Sequence, residues 1–507
     1  MYGAETLNAE FARRAGLIAG PLCFLAMLVC PAPAGLEQHA WITAATTVLM
    51  AVWWLTEAVP VTATAMVPLV VLPIAGVMDA ASISAPYASK TNFLFLGGLI
   101  IATALARWDL HRRIALVIIL RFGGTPSRLI LGFMTATALM SAWISNSAVT
   151  MMMLPIAAAV LDHFERDSPD LVKSMGPVLL LAVAYSATIG GMATIIGTPP
   201  NAVFVGALAQ LFPEAPPIGF LQWMLVGVPL ATLMIPLAWA WLVFGASDVG
   251  RHQFSLDRGI LREQLDALGT LSTPERRVLV VFVATALLWM FRRPIEIGAF
   301  LLPGWSMLLP QATTVGDSTV AIGMALMLFA IPAGDGKGSR LLDWETASKL
   351  PWGVIVLLGG GFALAAAIQG SGLAAWLGTL LSWAGSQPGL LGVLLLCLTV
   401  SFVTEVTTNT AITTILMPIL AATAVAGQFD PLLLMVPCTL AASLCFMMPS
   451  GTAPNAIVFS DGRLSVATMA RAGFPLNLFA VLLVTAVVWL LALPVFGISL
   501  GAPPPWI

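Results

Sequence analysis

The chain has 507 residues, of which 59% are hydrophobic and only 9% charged, with a mean hydropathy of +0.96 and a formal net charge of −2. A water-soluble globule carries roughly a quarter charged residues, so this composition excludes one and describes a polytopic α-helical membrane protein. The small net charge says little, because in a bilayer the position of each charge matters and not their sum.

Taken in order, apolar runs long enough or nearly long enough to cross a hydrocarbon core of about 30 Å occupy 17–30, 41–59, 61–77, 93–106, 175–210, 218–245, 278–291, 318–332, 352–368, 431–460 and 474–497. These are eleven candidate spans. Arg13-Arg14, the run 15–30 and Ala32-Pro33-Ala34 have the layout of a cleavable signal peptide. The expectation is a retained first span, and the later topology is the same either way. After the fourth run, Arg107-Trp108-Asp109-Leu110-His111-Arg112-Arg113-Ile114 and the interleaved basic and apolar residues through 122 read as an interfacial amphipathic helix. The longest polar connection, 246–277, carries Asp248, Arg251, Asp257, Arg258, Arg262, Glu263 and Asp266 and reads as a solvated loop. Cys23, Cys30, Cys397, Cys438 and Cys445 lie in or at the ends of apolar runs without metal-ligand spacing, and read as free, inert thiols. His39, His111, His163 and His252 fall in polar connections.

Two more runs, 129–160 and 389–429, resist assignment as spans. The first has 32 residues, too short for two crossings and long for one. Each holds a polar motif at its middle: Ser145-Asn146-Ser147-Ala148-Val149-Thr150 with Pro155, and Thr408-Asn409-Thr410-Ala411-Ile412-Thr413 with Pro418. Asn146 and Asn409 are 263 residues apart, as are Pro155 and Pro418, and the same offset pairs Gly97-Gly98 with Gly360-Gly361 and Leu110 with Leu373. Further on, Gly197-Thr198-Pro199-Pro200-Asn201 pairs with Gly451-Thr452-Ala453-Pro454-Asn455. An internal duplication explains this register.

Lysine and arginine decide the threading. With both Asn runs drawn as re-entrant hairpins and the N-terminus cytoplasmic, 19 of the 22 basic residues lie inside, and only Lys90, Arg292 and Arg293 lie outside. With each run crossing once, the 22 divide evenly and the positive-inside bias disappears. The hairpin threading sends the two hairpins in from opposite sides, so the repeats are inverted, the signature of a secondary transporter.

A hairpin tip inside a membrane leaves helix-end amides and carbonyls that lipid cannot satisfy. The returning helices are expected to begin at the two asparagines, so that free amides and a positive dipole end face each tip, which suits an anion. No Lys or Arg lies in either hairpin run or in either Gly-Thr-x-Pro-Asn break. The anion must then be held by neutral donors with a co-bound cation. Carbonyls at the breaks, with Asn, Ser and Thr oxygens, make a hard-oxygen shell that fits sodium, whereas magnesium or calcium would call for carboxylates. Small polar residues also serve merely to pack helices, but chance packing has no reason to recur in symmetric register. Glu405 is the only charge in either hairpin, and its repeat partner is Ala142. It reads either as a structural hydrogen-bond acceptor under the tip or as an electrostatic element near the cation; Glu57 reads as structural. An intramembrane enzyme would need a nucleophile with a buried activating partner, which the hairpins lack. A channel would use the same oxygens as a filter, and gradient-driven, saturable uptake separates the two.

The Asn motifs, the paired breaks, Trp53-Trp54-Leu55-Thr56-Glu57-Ala58-Val59-Pro60 and Phe95-Leu96-Gly97-Gly98 together resemble the divalent-anion/sodium symporter family over residues 41–497. The resemblance implies a homodimeric inner-membrane carrier with a fixed scaffold and mobile transport domains. Such a carrier moves di- and tricarboxylates or sulfate by an elevator motion, with sodium as the coupling ion and no other cofactor or nucleic-acid partner. The succinate, malate and fumarate class is the expected cargo, with sodium-independent exchange and sulfate or citrate transport as alternatives. The family's Ser-Asn-Thr signature falls on Ser145-Asn146-Ser147 and Thr408-Asn409-Thr410, each departing by one residue. By resemblance, Ser141, Ser145, Asn146, Gly197 and Thr198 form one sodium site, and Thr404, Thr407, Asn409, Gly451 and Ala453 the other, where Ala453 replaces the usual proline. Substrate carboxylates would meet Asn146, Ser147, Asn409, Thr410 and Thr452. The organisation this implies is N-terminal spans and scaffold in 1–92, the first-repeat hairpin and transport elements in 93–245, a polar loop and scaffold spans in 246–351, and the second-repeat hairpin and transport elements in 352–507.

Overall fold

The computed structural model describes residues 2–122, 124–165, 169–251, 259–297, 300–311, 314–381 and 388–507. Apolar sequence becomes helix here because lipid offers backbone groups no partners, so each segment must satisfy its own. The chain opens with α1 (Tyr2–Val29) packed on α2 (Gln38–Thr56), then three short pieces, α3 (Val61–Thr64), α4 (Val67–Ile74) and α5 (Ala80–Ser84). The first repeat runs through α6 (Lys90–Arg107), α7 (Leu110–Phe122), α8 (Pro126–Ser141), α9 (Asn146–Glu165), α10 (Pro169–Gly191), α11 (Pro199–Leu211) and α12 (Phe220–Ala240). Between the repeats lie α13 (Gly259–Ala267), α14 (Thr273–Met290), a small antiparallel hairpin of β1 (Ile295–Ile297) with β2 (Phe300–Leu302), α15 (Asp317–Ala330) and α16 (Trp344–Ala347). The second repeat follows the first helix for helix: α17 (Trp352–Gly370), α18 (Leu373–Leu381), α19 (Leu390–Thr404), α20 (Asn409–Ala426), α21 (Leu432–Ala442), α22 (Ala453–Phe459) and α23 (Val466–Val487). Even the ends match, since α12 and α23 both finish in a five-residue π-helical turn, Trp241–Gly245 and Val488–Ala492.

Eight helices among the described residues are long and apolar enough to cross a membrane by length and composition. Of the remaining runs, α2 and α14 have the length but not the apolar composition, and the others are shorter or interrupted. The run 61–77, expected as a span, divides between α3 and α4, while 175–210 and 431–460 each break in two at their Gly-Thr motif. The polar connection 246–277 is not wholly a solvated loop. It contains α13, and at its end Glu275 is buried; Asp257, Arg258 and His252 lie outside the described residues. Arg113 of α7 explains the burial, because its guanidinium bonds Glu275 at 2.6 Å and the carbonyls of Leu268 and Gly269 at 2.9 and 2.8 Å. Burial pushes the Glu275 carboxyl up, but hydrogen bonds from Arg113 and Ser272 outweigh it and hold it below the usual carboxylate range. α7 is thereby bolted to the connection before α14, and Trp108 adds a bond from its indole to the Leu341 carbonyl at 2.7 Å.

The halves exchange partners. α15, which precedes the second repeat, packs on α6 of the first, and the short pieces preceding the first repeat pack on α17 of the second. The duplicated glycine pairs make this close approach work, as small residues do between membrane helices. A Cβ at Gly97 would lie 2.5 Å from Ala321 Cβ, and one at Gly360 would lie 2.2 Å from the Ala65 carbonyl oxygen. Deeper in, α22 packs on α9 and α10, and α11 packs on α17, α20 and α21. Each broken element is therefore set beside the other repeat's hairpin. Glu57, at the left-handed end of α2 with φ 48°, pairs with Arg13 at 3.2 Å.

Candidate functional site

Both Asn motifs form helix–turn–helix tips. α8 ends at Ser141 and the chain turns through Ala142–Ser145 into α9, whose first residue is Asn146; α19 ends at Thr404 and α20 begins at Asn409. Ser145 and Thr408 stand just before the returning helices and accept hydrogen bonds from Ala148 N–H and Ala411 N–H, both at 3.4 Å. That leaves other first-turn amides of α9 and α20 free for a ligand. Thr150 and Thr413 return their hydroxyls to the Asn146 and Asn409 carbonyls, both at 2.7 Å.

Behind each tip the same oxygen cluster is built twice. In the first half, the Ser141 hydroxyl lies 2.7 Å from the Ala187 carbonyl oxygen and 2.8 Å from Asn146 Oδ1. In the second, the Thr404 hydroxyl lies 3.0 Å from the Ala442 carbonyl oxygen and 2.8 Å from Asn409 Oδ1. The first cluster also includes Gly197 O, so with the Asn146 oxygen turned inward, four oxygens face one another with a single hydroxyl proton among them. A cation satisfies that arrangement. With its nitrogen turned inward, Asn146 instead donates to Ala187 O and Gly197 O at 3.2 Å and to Ser141 Oγ at 2.8 Å. The donor set is neutral and all-oxygen, which fits a monovalent hard cation.

The breaks are shaped by glycines, of which Gly191 lies outside the motifs, and by the motif asparagines. A Cβ at Gly191 would lie 2.3 Å from Asn146 Oδ1, and one at Gly197 would lie 2.5 Å from Gly191 O, so the backbone reaches the amide only because both are glycine. Asn201 is buried and donates to Gly191 O and Thr194 O at 3.1 and 2.7 Å; Asn455 likewise donates to Cys445 O and Met448 O at 3.2 and 3.0 Å. The motif asparagines after each proline thus clamp their own loops. Thr198 and Thr452 occupy the same extended cap position before α11 and α22, with φ −142° and −149°. Thr198 is buried, whereas Thr452 is half-buried and Ala453 exposed, so the second break is the more open. Ser147 and Thr410 lie half-buried on the first turns of α9 and α20. Thr407 does not turn to the cluster; its hydroxyl donates back to Val403 O at 3.1 Å.

The cage around Glu405 was not legible from its neighbours in sequence. Its side chain is 3% exposed and accepts from five donors. Oε1 receives Phe446 N–H at 2.8 Å, Met447 N–H at 3.0 Å and the Asn477 amide at 2.6 Å; Oε2 receives Met448 N–H at 2.9 Å, Met447 N–H at 3.1 Å and the Cys445 thiol at 3.2 Å. The carboxylate therefore ties the second tip to the loop that leads to Gly451-Thr452, and Cys445 takes part rather than merely filling space. In the first half, a Thr194 hydroxyl donating to the Ala142 carbonyl replaces this charged tie.

Three comparisons place the architecture. The profile described as "Sodium:sulfate symporter transmembrane region" matches residues 12–498. The sodium-dependent dicarboxylate transporter SdcS of Staphylococcus saprophyticus is 40% identical, with 99% of this chain and 95% of the relative covered. The Staphylococcus aureus protein of the same name is 39% identical over 97% of this chain and 93% of its own. The YdaH transporter of Alcanivorax borkumensis shares the fold at a TM-score of 0.56 and 14% identity, over 89% of this chain and 98% of its own. With twin polar tips in a predominantly helical membrane fold and a profile match across nearly its whole length, the chain belongs to the sodium:sulfate symporter family of membrane transporters, the divalent-anion/sodium symporters its motifs resemble.

Proposed function

We propose that this protein is a sodium-coupled carrier of dicarboxylates of the succinate, malate and fumarate class, working as a homodimer in the cell (inner) membrane with a cytoplasmic N-terminus. The observation that carries this reading is the duplicated tip, where a helix N-terminus, an asparagine amide and a hydroxyl converge on a broken-helix carbonyl without a basic side chain. The relatives named as sodium-dependent dicarboxylate transporters support the cargo and the coupling ion.

In this reading one sodium rides with Ser141, Ser145, Asn146, Gly197 and Thr198, and the geometry adds the Ala187 carbonyl. A second rides with Thr404, Asn409, Gly451 and Ala453, to which the Ala442 carbonyl is added; Thr407, whose hydroxyl is turned to Val403 O, has only its carbonyl to offer the ion. The anion's two carboxylates face Asn146, Ser147, Asn409, Thr410 and Thr452 at the positive ends of α9 and α20. Sodium supplies the positive charge that the tips lack, so anion and cation bind together, and an elevator movement of the hairpin elements past the scaffold carries both. Glu405 holds the second loop in place and adds a fixed negative charge behind the second cluster.

Uptake of labelled succinate into proteoliposomes, with and without an inward sodium gradient, tests this reading. Two sodium ions predict a dependence on sodium steeper than first order. Sodium-independent uptake accelerated by internal dicarboxylate would make the protein an exchanger, and competition by sulfate or citrate stronger than by unlabelled succinate would move the cargo class.

A further inference from the structure

The two oxygen clusters lie in different repeats, yet one stretch of α10 touches both. Ala187 contributes its carbonyl to the first cluster through Ser141. Two residues earlier, the Tyr185 hydroxyl donates to the Phe446 carbonyl at 2.7 Å, and its ring meets Phe446 edge to face with centroids 5.0 Å apart. Phe446 belongs to the loop of the other repeat, and its N–H holds Glu405 Oε1 at 2.8 Å. Glu405 is bonded in sequence to Thr404, whose hydroxyl meets Asn409 Oδ1. Ser141, Tyr185, Thr404 and Phe446 are all fully buried, so neither water nor lipid interrupts the series. The link runs one way: Thr439, which stands 254 residues beyond Tyr185 as Asn455 does beyond Asn201, turns its hydroxyl to Met435 O and Met417 instead.

We propose that Tyr185 is a positioning residue that couples the two cation clusters, so that filling the first raises the affinity of the second. The inference rests on reading both clusters as sodium sites. Cation binding at Ser141, Asn146 and Ala187 O fixes the last turns of α10. Tyr185 passes that constraint to the Phe446 peptide, and the peptide passes it through Glu405 to the tip that carries Thr404 and Asn409. By linkage the second cluster must strengthen the first by the same factor. This hydroxyl is the hydrogen bond by which Glu405 senses the first cluster, so removing it weakens the coupling without altering either set of oxygens.

The test is Tyr185→Phe, which keeps the ring and deletes the donor. Initial succinate uptake into proteoliposomes is measured against sodium concentration, alongside a sodium titration of the thermal midpoint of the purified protein, which needs no transport. The wild type should give a sigmoidal uptake curve and a thermal midpoint that rises with sodium. Tyr185→Phe should give a Hill coefficient falling toward one and a half-saturating sodium concentration roughly 2- to 10-fold higher, the scale of one hydrogen bond, with a maximal rate near that of wild type. A merely structural role would lower the maximal rate and leave the Hill coefficient alone. Curves as steep as wild type in Tyr185→Phe would overturn the coupling while leaving both sites standing. Wild-type uptake that ignores sodium would overturn the two-site reading beneath it.

Discussion

Replacing Glu405 with glutamine looks conservative from the sequence, because shape and most hydrogen-bonding capacity are kept. The cage gives a different expectation. All the groups facing the carboxylate in that cage are donors, so an amide NH2 placed at either oxygen position points hydrogen at hydrogen. At the Oε1 position it displaces the acceptor of Phe446 N–H and the Asn477 amide; at the Oε2 position it displaces that of Met448 N–H and the Cys445 thiol. Met447 N–H reaches both oxygens and keeps one partner either way. One buried loop N–H, that of Phe446 or of Met448, is left without an acceptor at a cost of about 1–3 kcal/mol, because the Cys445 thiol keeps Thr404 O at 3.6 Å and the Asn477 amide can turn its unpartnered Oδ1 inward. Relief from burying a charge offsets part of this. Against a total stability of roughly 5–15 kcal/mol, the loss should show as a lower thermal midpoint for purified Glu405→Gln and as reduced uptake even at saturating sodium, because the loop leading to Gly451-Thr452 is no longer held. The reasoning is refuted if Glu405→Gln melts with the wild type and transports like it.

Asn146→Ala and Asn409→Ala each delete an amide that the proposal places between cation and anion; a lost bond to a charged group, about 1.5–3 kcal/mol, lowers affinity roughly 10- to 150-fold, so uptake at equal expression should nearly vanish. Robust uptake by either variant would return the motif to helix packing. Gly191→Ala places a Cβ 2.3 Å from Asn146 Oδ1, so it should raise the sodium requirement far more than Gly176→Ala, where the nearest atom is 3.7 Å away. Glu275 has a folded pKa below its ordinary value, so its contribution is fully present above the unfolded pKa of about 4.3 and is lost as pH falls through the lower folded one. Arg113→Met should therefore lower the thermal midpoint at pH 7, and the gap to wild type should close on acidification below roughly pH 4; a gap independent of pH would count against the ion pair.

The helical architecture and its duplication were determined by sequence alone, for a local reason. A segment in lipid must satisfy its own backbone, so apolar runs between polar breaks already specify helices and their ends, and a constant offset of 263 residues exposes the symmetry without any contact being known. The tips could be read the same way, because Asn146 and Asn409 begin the returning helices as expected. Tertiary structure alone decided what each polar group meets. Glu405 reads from sequence as either structural or electrostatic, and only packing brings Cys445, three loop amides and Asn477 to it from 40 to 72 residues away. Gly191, Ala187 and Tyr185 carry no motif; a carbonyl or a missing side chain acquires a role only when another helix lies against it. Thr407 fits the motif as well as Thr404 does, yet rotation along the end of α19 sends one hydroxyl back to its own helix and the other toward Asn409. The folding of single helices is written in nearest-neighbour chemistry, whereas the partners of a buried polar atom are set by how those helices pack.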